Sequence, residues 1–384
     1  MLITHLRLKN WRNFRELDVP LRDVSYILGA NASGKSNFLD VFRFLRDVSK
    51  PNGGGLQTAV NERGGMSKLR CLHARQDTEV LLEVELSDTP DGDPVWTYVL
   101  GFKSEGKGKH RVIISKEEVH KGTKAPLKRP NAKDLRDPEL LTQTHLEQIQ
   151  ANVKFRQIVE FFSDVTYQNL VPQLLKFSDR IGGRQLTDDP YGQGFLEKIS
   201  NAPEKTRASR LNRICKALSV AVPLFADLRF SRDSMGHPHL EALYTHHRPN
   251  AGWQTEEQFS DGTLRLIGIL WTLLDGNALL LLEEPEISLN DAIVSEIPAM
   301  IQRTQRSKKV KRQIILSTHS EELLGNPGID GRGIVVLQSG PDGTSARTIT
   351  RAEEAALESG LSVAEVVLPK TRPRNASRIM DELR

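Results

Sequence analysis

VSYILGANASGKSNFLDVFRFLRD, residues 24–47, decides how this chain is built. The apolar run Val24–Leu28 reads as a buried strand, and Phe38, Val41, Phe42 and Leu45 recur at helical spacing from Ser36 to about Asp47. Between them, Gly29-Ala30-Asn31-Ala32-Ser33-Gly34-Lys35-Ser36 satisfies G-x-x-x-x-G-K-[ST] at every constrained position, in the strand-loop-helix context that motif requires. The glycines let backbone N–H groups turn inward around a β-phosphate, the helix N-terminus adds its partial positive charge, and Lys35 reaches the β/γ oxygens. Gly29, Asn31, Ser33, Gly34, Lys35, Ser36 and Asn37 are the expected nucleotide-binding set, with Ser36 on Mg2+.

Three further stretches fit this loop. LLLLEEP, residues 279–285, is a buried strand ending in two carboxylates, delivered to the carboxyl edge of a parallel sheet. There Glu283 would organise the metal shell and Glu284 would polarise an attacking water. Ser260-Asp261-Gly262-Thr263 opens a helix about twenty residues earlier, so its serine, glycine and free N–H groups suit a second phosphate. STHS, residues 317–320, follows the strand from Gln313 and puts His319 at another strand end. Their order, more than any one of them, makes the combination specific.

Outward from the loop, residues 2–8 and 17–21 alternate as strands, and residues 78–86 and 95–102 extend a sheet. From 226 onward the pattern alternates strands (228–230, 239–244, 278–283, 313–318, 334–338) with helices (263–274, 291–306, 320–324), which implies a parallel sheet. Residues 103–225 change character: ten basic side chains face three acidic ones between Lys103 and Lys133, and helical patterns follow at 138–162, 191–199 and 209–222. The expected organisation is an α/β head from residues 1–102 and 226–384, interrupted by a basic, helical insertion at 103–225.

The 384 residues carry 38% hydrophobic and 27% charged side chains, a formal charge of +4 and a mean hydropathy of −0.40, an ordinary globular composition. No apolar stretch approaches the roughly 20 residues of a membrane span. The N-terminus lacks a leader's apolar segment, so a cytoplasmic location with no membrane partner is expected. Cys71 and Cys215 are too few and too distant for a disulfide framework or a zinc site. The runs Lys103, Lys107, Lys109, Arg111, Lys116 and Arg303, Arg306, Lys308, Lys309, Lys311, Arg312 are either solvated segments or surfaces for DNA or RNA.

LRLKNWRNF, GANASGKSNFLD, FSDGTLRLIGILW, LLLLEEPEISLN and IILSTHSEELL together resemble the ABC-type P-loop ATPase heads of the RecF/RecN/SMC-like superfamily. They are most similar to AAA-family ATPases, related to OLD-type proteins, that serve bacterial anti-phage defence. The resemblance covers residues 1–102 and 226–340 and implies a mixed or parallel sheet, ATP and Mg2+ as ligands, and a head-to-head homodimer. It implies that Ser260 and Gly262 meet the γ-phosphate of ATP on the second subunit, that Glu284 is the catalytic carboxylate and that His319 senses the γ-phosphate. It also brings Arg12 and Asn13 toward the nucleotide.

Glu283 stands where these relatives carry aspartate, and Ser288-Leu289-Asn290 where many have glycine, leucine and histidine. For the lever glutamine the candidates are Gln57 and Gln76. After Val336 no glutamate is followed by a DxD pair, so a Toprim nuclease is expected on another polypeptide. The implied function is an ATP-dependent switch that regulates or loads a separate effector, a nuclease or toxin. A RecF-like repair ATPase shares every motif. A transporter subunit is disfavoured by the missing LSGGQ glutamine, and a nucleotide-sensing scaffold with vestigial hydrolysis is suggested by Glu283.

Overall fold

The computed structural model describes residues 1–50, 52–74, 77–106, 111–177, 189, 191–245, 252–307 and 311–371. Gln76, Lys107, Lys109, Lys308 and Lys309 lie outside the described residues. In chain order the strands are β1 (Leu2–Trp11), β2 (Phe14–Pro20), β3 (Val24–Leu28), β4 (Val80–Ser87), β5 (Trp96–Ser104), β6 (Val112–Lys121), β7 (Lys124–Arg129) and β8 (Thr166–Gln168). They continue as β9 (Phe225–Arg232), β10 (Pro238–Tyr244), β11 (Gln254–Thr255), β12 (Leu280–Glu283), β13 (Ile314–Thr318), β14 (Ile334–Gly340) and β15 (Gly343–Arg347).

The central sheet has the order β15-β14-β3-β13-β12-β8, parallel throughout except for β15 at its edge. Its alternation sorts side chains onto two covered faces. Ile27, Leu279, Leu281, Ile315, Val335 and Leu337 join one apolar cluster with Phe38, Phe42 and Phe44 of the helix Lys35–Ser49. Tyr26, Leu28, Leu280, Leu282, Ile314, Leu316, Ile334 and Val336 join a second with Ile297, Ile301 and Val367. The Lys35–Ser49 helix buries Phe38, Leu39, Val41, Phe42, Phe44, Leu45 and Val48 completely, and each such side chain contributes about 1.5–3 kcal/mol. Arg63 pairs with Asp40 and Asp47 of that helix, which satisfies its two inward-facing acids.

An antiparallel sheet, β2-β1-β4-β5-β6-β7, packs on the first cluster. The expected boundary at residue 103 falls inside β5, and β6 and β7 continue the same sheet. Among the described residues, much of the basic run therefore lies in strands of this sheet. Alternation in residues 112–119 drives Val112, Ile114, Glu117 and Val119 inward. Arg129 is buried against Glu117 and Asp134, at 2.9 and 2.8 Å, while Arg111 is held by Glu105. The expected helix 138–162 is also corrected. Pro138–Thr142 is a 3-10 turn, and an α-helix forms only at Arg156–Ser163. Between them, Glu147 accepts from the backbone N–H of Thr144 and Leu56, which favours an irregular connection. The described residues of 103–168 thus pack with the two sheets.

Beyond them the chain does form a lobe. The helices Pro172–Lys176, Phe195–Asn201 and Glu204–Ala221 pack with β9, β10 and the helix Asp261–Leu274 around Leu175, Ile199, Leu211, Phe225, Leu240 and Trp271. The expected helix 291–306 is interrupted: Asp291–Val294 and Ile297–Ser307 are separate. Among the described residues no helix is long and apolar enough to cross a membrane.

Candidate nucleotide site

Parallel strands β3, β13, β12 and β8 end along one edge, the arrangement in which doubly wound sheets place ligands. The loop Gly29–Ser36 leaves β3 and enters its helix through Gly34 at φ +98°, with no side-chain cap on the first N–H groups. Those donors are the ones an anion would take. A side chain at either glycine would crowd the loop: a Cβ on Gly29 would meet Ser33 Oγ at 2.3 Å, and one on Gly34, whose φ also favours glycine, would meet Asn13 Nδ2 at 2.1 Å. Ala32 holds a left-handed φ of +62°. Ser33 Oγ is buried without a partner among the described residues. A pocket of about 270 Å³ lies beside the loop, lined by Gly29, Ala30, Asn31, His319, Glu321, Leu368 and Thr371.

Lys35 is buried, and its Nζ donates to Gly29 O at 3.0 Å and Ala30 O at 3.4 Å. The same ammonium lies 3.5 Å from Glu284 Oε1. That oxygen is also 3.2 Å from His319 Nδ1, so one carboxylate bridges the loop lysine and the histidine that follows β13. Glu284 adopts φ +41°, a strained conformation for a residue with a side chain, secured by its N–H donating to Ser317 O at 3.1 Å. Glu283, the last residue of β12, accepts from Ser36 Oγ. Ser36 and Glu283 therefore share the point where a metal bound to a nucleotide would sit. A hydroxyl beside a carboxylate, with an uncapped helix end and a lysine adjacent, fits Mg2+ bound with phosphates.

Asn13 and Asn37 stand behind the loop. Asn13 Nδ2 donates to Ser33 O at 3.1 Å and Thr344 Oγ1 at 2.7 Å, and Asn37 Nδ2 donates to Asn13 Oδ1 at 2.7 Å. Arg12 spends its guanidinium on Asp40, at 2.6 Å, and so braces the helix that carries Lys35 and Ser36. Ser260 caps the Asp261–Leu274 helix by accepting from Thr263 N–H, and it is exposed. A Cβ on Gly262 would lie 2.6 Å from Ser288 O. The signature helix and the segment after Glu284 can meet only at a glycine, and Ser288 turns there at φ +62°.

Three residues beside these were not singled out from the sequence. Gln57, proposed as a lever, instead ties down Val112 and Thr142 through its amide. The glutamine at the site edge is Gln168, the last residue of β8, opposite Leu282 in the neighbouring strand. Its Oε1 is buried without a partner among the described residues, and its Nε2 lies 3.1 Å from where Gly268 would carry a Cβ. Tyr167, beside it, donates its hydroxyl to Glu283. Glu286 is buried and accepts from Thr318 Oγ1 at 2.7 Å and His319 N–H at 3.2 Å, and desolvation raises its pKa. The signals were VTYQ as a short β-rich run and a third acid in EEPE.

The fold has solved counterparts. An Smc head bound to the C-terminal winged-helix domain of ScpA superposes with a TM-score of 0.57 at 15% identity, covering 92% of this chain and all of that one. An Smc head with an extended coiled coil from Pyrococcus furiosus, bound to the C-terminal domain of ScpA, gives 0.53 at 13%, covering 93% and 98%. In sequence, the DNA replication and repair protein RecF of Roseiflexus castenholzii is 35% identical over 92 residues, 22% of this chain and 23% of that protein. RecF of Chlamydia caviae is 50% identical over 46 residues, 12% of each. The chain thus spans under a quarter of the curated relatives it matches. Its fold is that of an Smc head. Residues 24–325, from the strand before the phosphate loop to the turn after the histidine, match the family described as "AAA domain, putative AbiEii toxin, Type IV TA system", and the chain belongs to that family.

Proposed function

We propose that this chain is an Mg2+-dependent ATPase switch that pairs head to head and regulates or loads a separate effector, a nuclease or toxin, in anti-phage defence in the cytoplasm. The observation that carries the catalytic part is the single Glu284 carboxylate set between Lys35 and His319, at 3.5 and 3.2 Å, beside the Ser36–Glu283 pair. Lys35 and the loop N–H groups bind and orient the β/γ oxygens, which then compete with Glu284 for the ammonium. Released from Lys35, Glu284 accepts a proton from the attacking water, and His319 faces the γ-phosphate. Ser36 and Glu283 would hold Mg2+, which would supply charge neutralisation for the phosphate oxygens. Catalysis is positioning and electrostatics, with no covalent intermediate.

In this reading Gln168 takes the lever position, and Ser260 and Gly262 serve ATP on a second copy, since Ser260 is exposed at an uncovered helix start. The lobe built from the helices Phe195–Asn201 and Glu204–Ala221 with β9 and β10 is proposed to carry the effector contacts. The RecF matches support a second reading, a DNA-repair ATPase, which a DNA requirement for turnover would favour. The proposed activity is tested with Lys35→Ala. It should lose ATP binding by calorimetry while keeping its circular dichroism, and parental ATP affinity in that variant would refute the assignment.

A further inference from the structure

Glu283 is one methylene longer than aspartate, and a longer carboxylate at a metal shell has one more torsion to fix. Strand β8 sets Tyr167 opposite Leu281, so the alternation of the sheet puts the tyrosine on the same face as Leu281 and Glu283. A tyrosine leaning along its strand spans that two-residue step, and its hydroxyl donates to Glu283 Oε2, while Ser36 Oγ donates to Oε1. The ring is buried, with the guanidinium of Arg43 from the Lys35–Ser49 helix 4.3 Å over its face.

We propose that Tyr167 is the positioning residue that fits a glutamate to this metal shell, holding Oε2 so that only Oε1 faces Ser36 and the metal. The role rests on the reading of Ser36 and Glu283 as the metal pair. It accounts for three features at once: the longer acid, the tyrosine on a three-residue edge strand, and the arginine clamped over its ring. Tyr167 acts through Glu283 and touches neither nucleotide nor metal.

The test uses the full chain with ATP and Mn2+ as the probe, free Mn2+ being read by electron paramagnetic resonance. Tyr167→Phe keeps the ring beneath Arg43 and removes only the donor. It should weaken Mn2+ retention in the ATP complex about tenfold or more, the range of outer-shell substitutions, while metal-free ATP affinity stays within about twofold. In a Glu283→Asp background, where the carboxylate is too short to meet the hydroxyl, Tyr167→Phe should add nothing. Parental Mn2+ retention by Tyr167→Phe overturns the proposal. Glu283→Gln separates the two failures. If it loses Mn2+ while Tyr167→Phe does not, the tyrosine alone is wrongly assigned. If it too holds Mn2+ like the parent, the metal pair itself falls.

Discussion

Glu284 Oε1 lies 3.2 Å from His319 Nδ1, joining the ends of two adjacent parallel strands. With Lys35 Nζ 3.5 Å from the same oxygen, the loop, the acidic strand and the histidine strand are linked through one atom. An incoming phosphate is a stronger partner for the buried ammonium than a half-exposed carboxylate, so nucleotide binding should rearrange all three together.

Gln168→Ala should leave ATP affinity within about twofold and lower turnover about tenfold, since it ends β8 opposite Leu282, the residue before Glu283, with its amide turned toward Gly268 of the Asp261–Leu274 helix. Steady-state hydrolysis and calorimetry on the same preparation check this. Equal loss of binding and turnover would place the glutamine in the loop's support instead.

The signature makes a prediction in two parts. Gly262→Ala forces a methyl to within 2.6 Å of Ser288 O, a backbone atom, and should cost about 1–3 kcal/mol in urea denaturation. Ser260→Arg should keep monomer stability and ATP binding yet block ATP-dependent pairing. Mixed with Lys35→Ala, it should restore activity to one composite site per heterodimer. Heterodimers without recovered activity would argue against a site shared between copies.

Stability should also depend on acid through Glu353. Its carboxylate receives Arg347, Lys370 and the Thr350 N–H, which together lower its pKa from 4.5 to about 2 against the opposing cost of burial. A lowered folded pKa stabilises the fold above the unfolded value, and that contribution is lost as pH falls from 4.5 toward 2. Glu353→Gln should flatten the thermal-stability profile across that window, and an unchanged acid limb would show that the pairs contribute nothing there.

That residues 29–36, Glu284 and His319 come together was legible because each belongs to a contiguous motif at the end of a strongly apolar strand. Tyr167 and Gln168 were not, because β8 is three residues long and follows a connection shaped by contacts distant in sequence, such as Glu147 with Leu56. The basic run misled for a related reason. Arg129 reads as a surface charge until Glu117 and Asp134 are brought to it, and a buried arginine with two acids is invisible to local charge counting. Arg312 is similar: it is buried and donates to the carbonyls of Thr272 and Asp275, so the second basic run is partly structural.

The most direct test of the central claim is steady-state ATP hydrolysis by Glu284→Gln, measured alongside ATP binding and light scattering. Glutamine keeps the side chain's size and cannot take the proton, so the variant should bind ATP, accumulate as an ATP-bound dimer and turn over at least about a hundredfold more slowly than the parent. Hydrolysis at the parental rate would contradict the account.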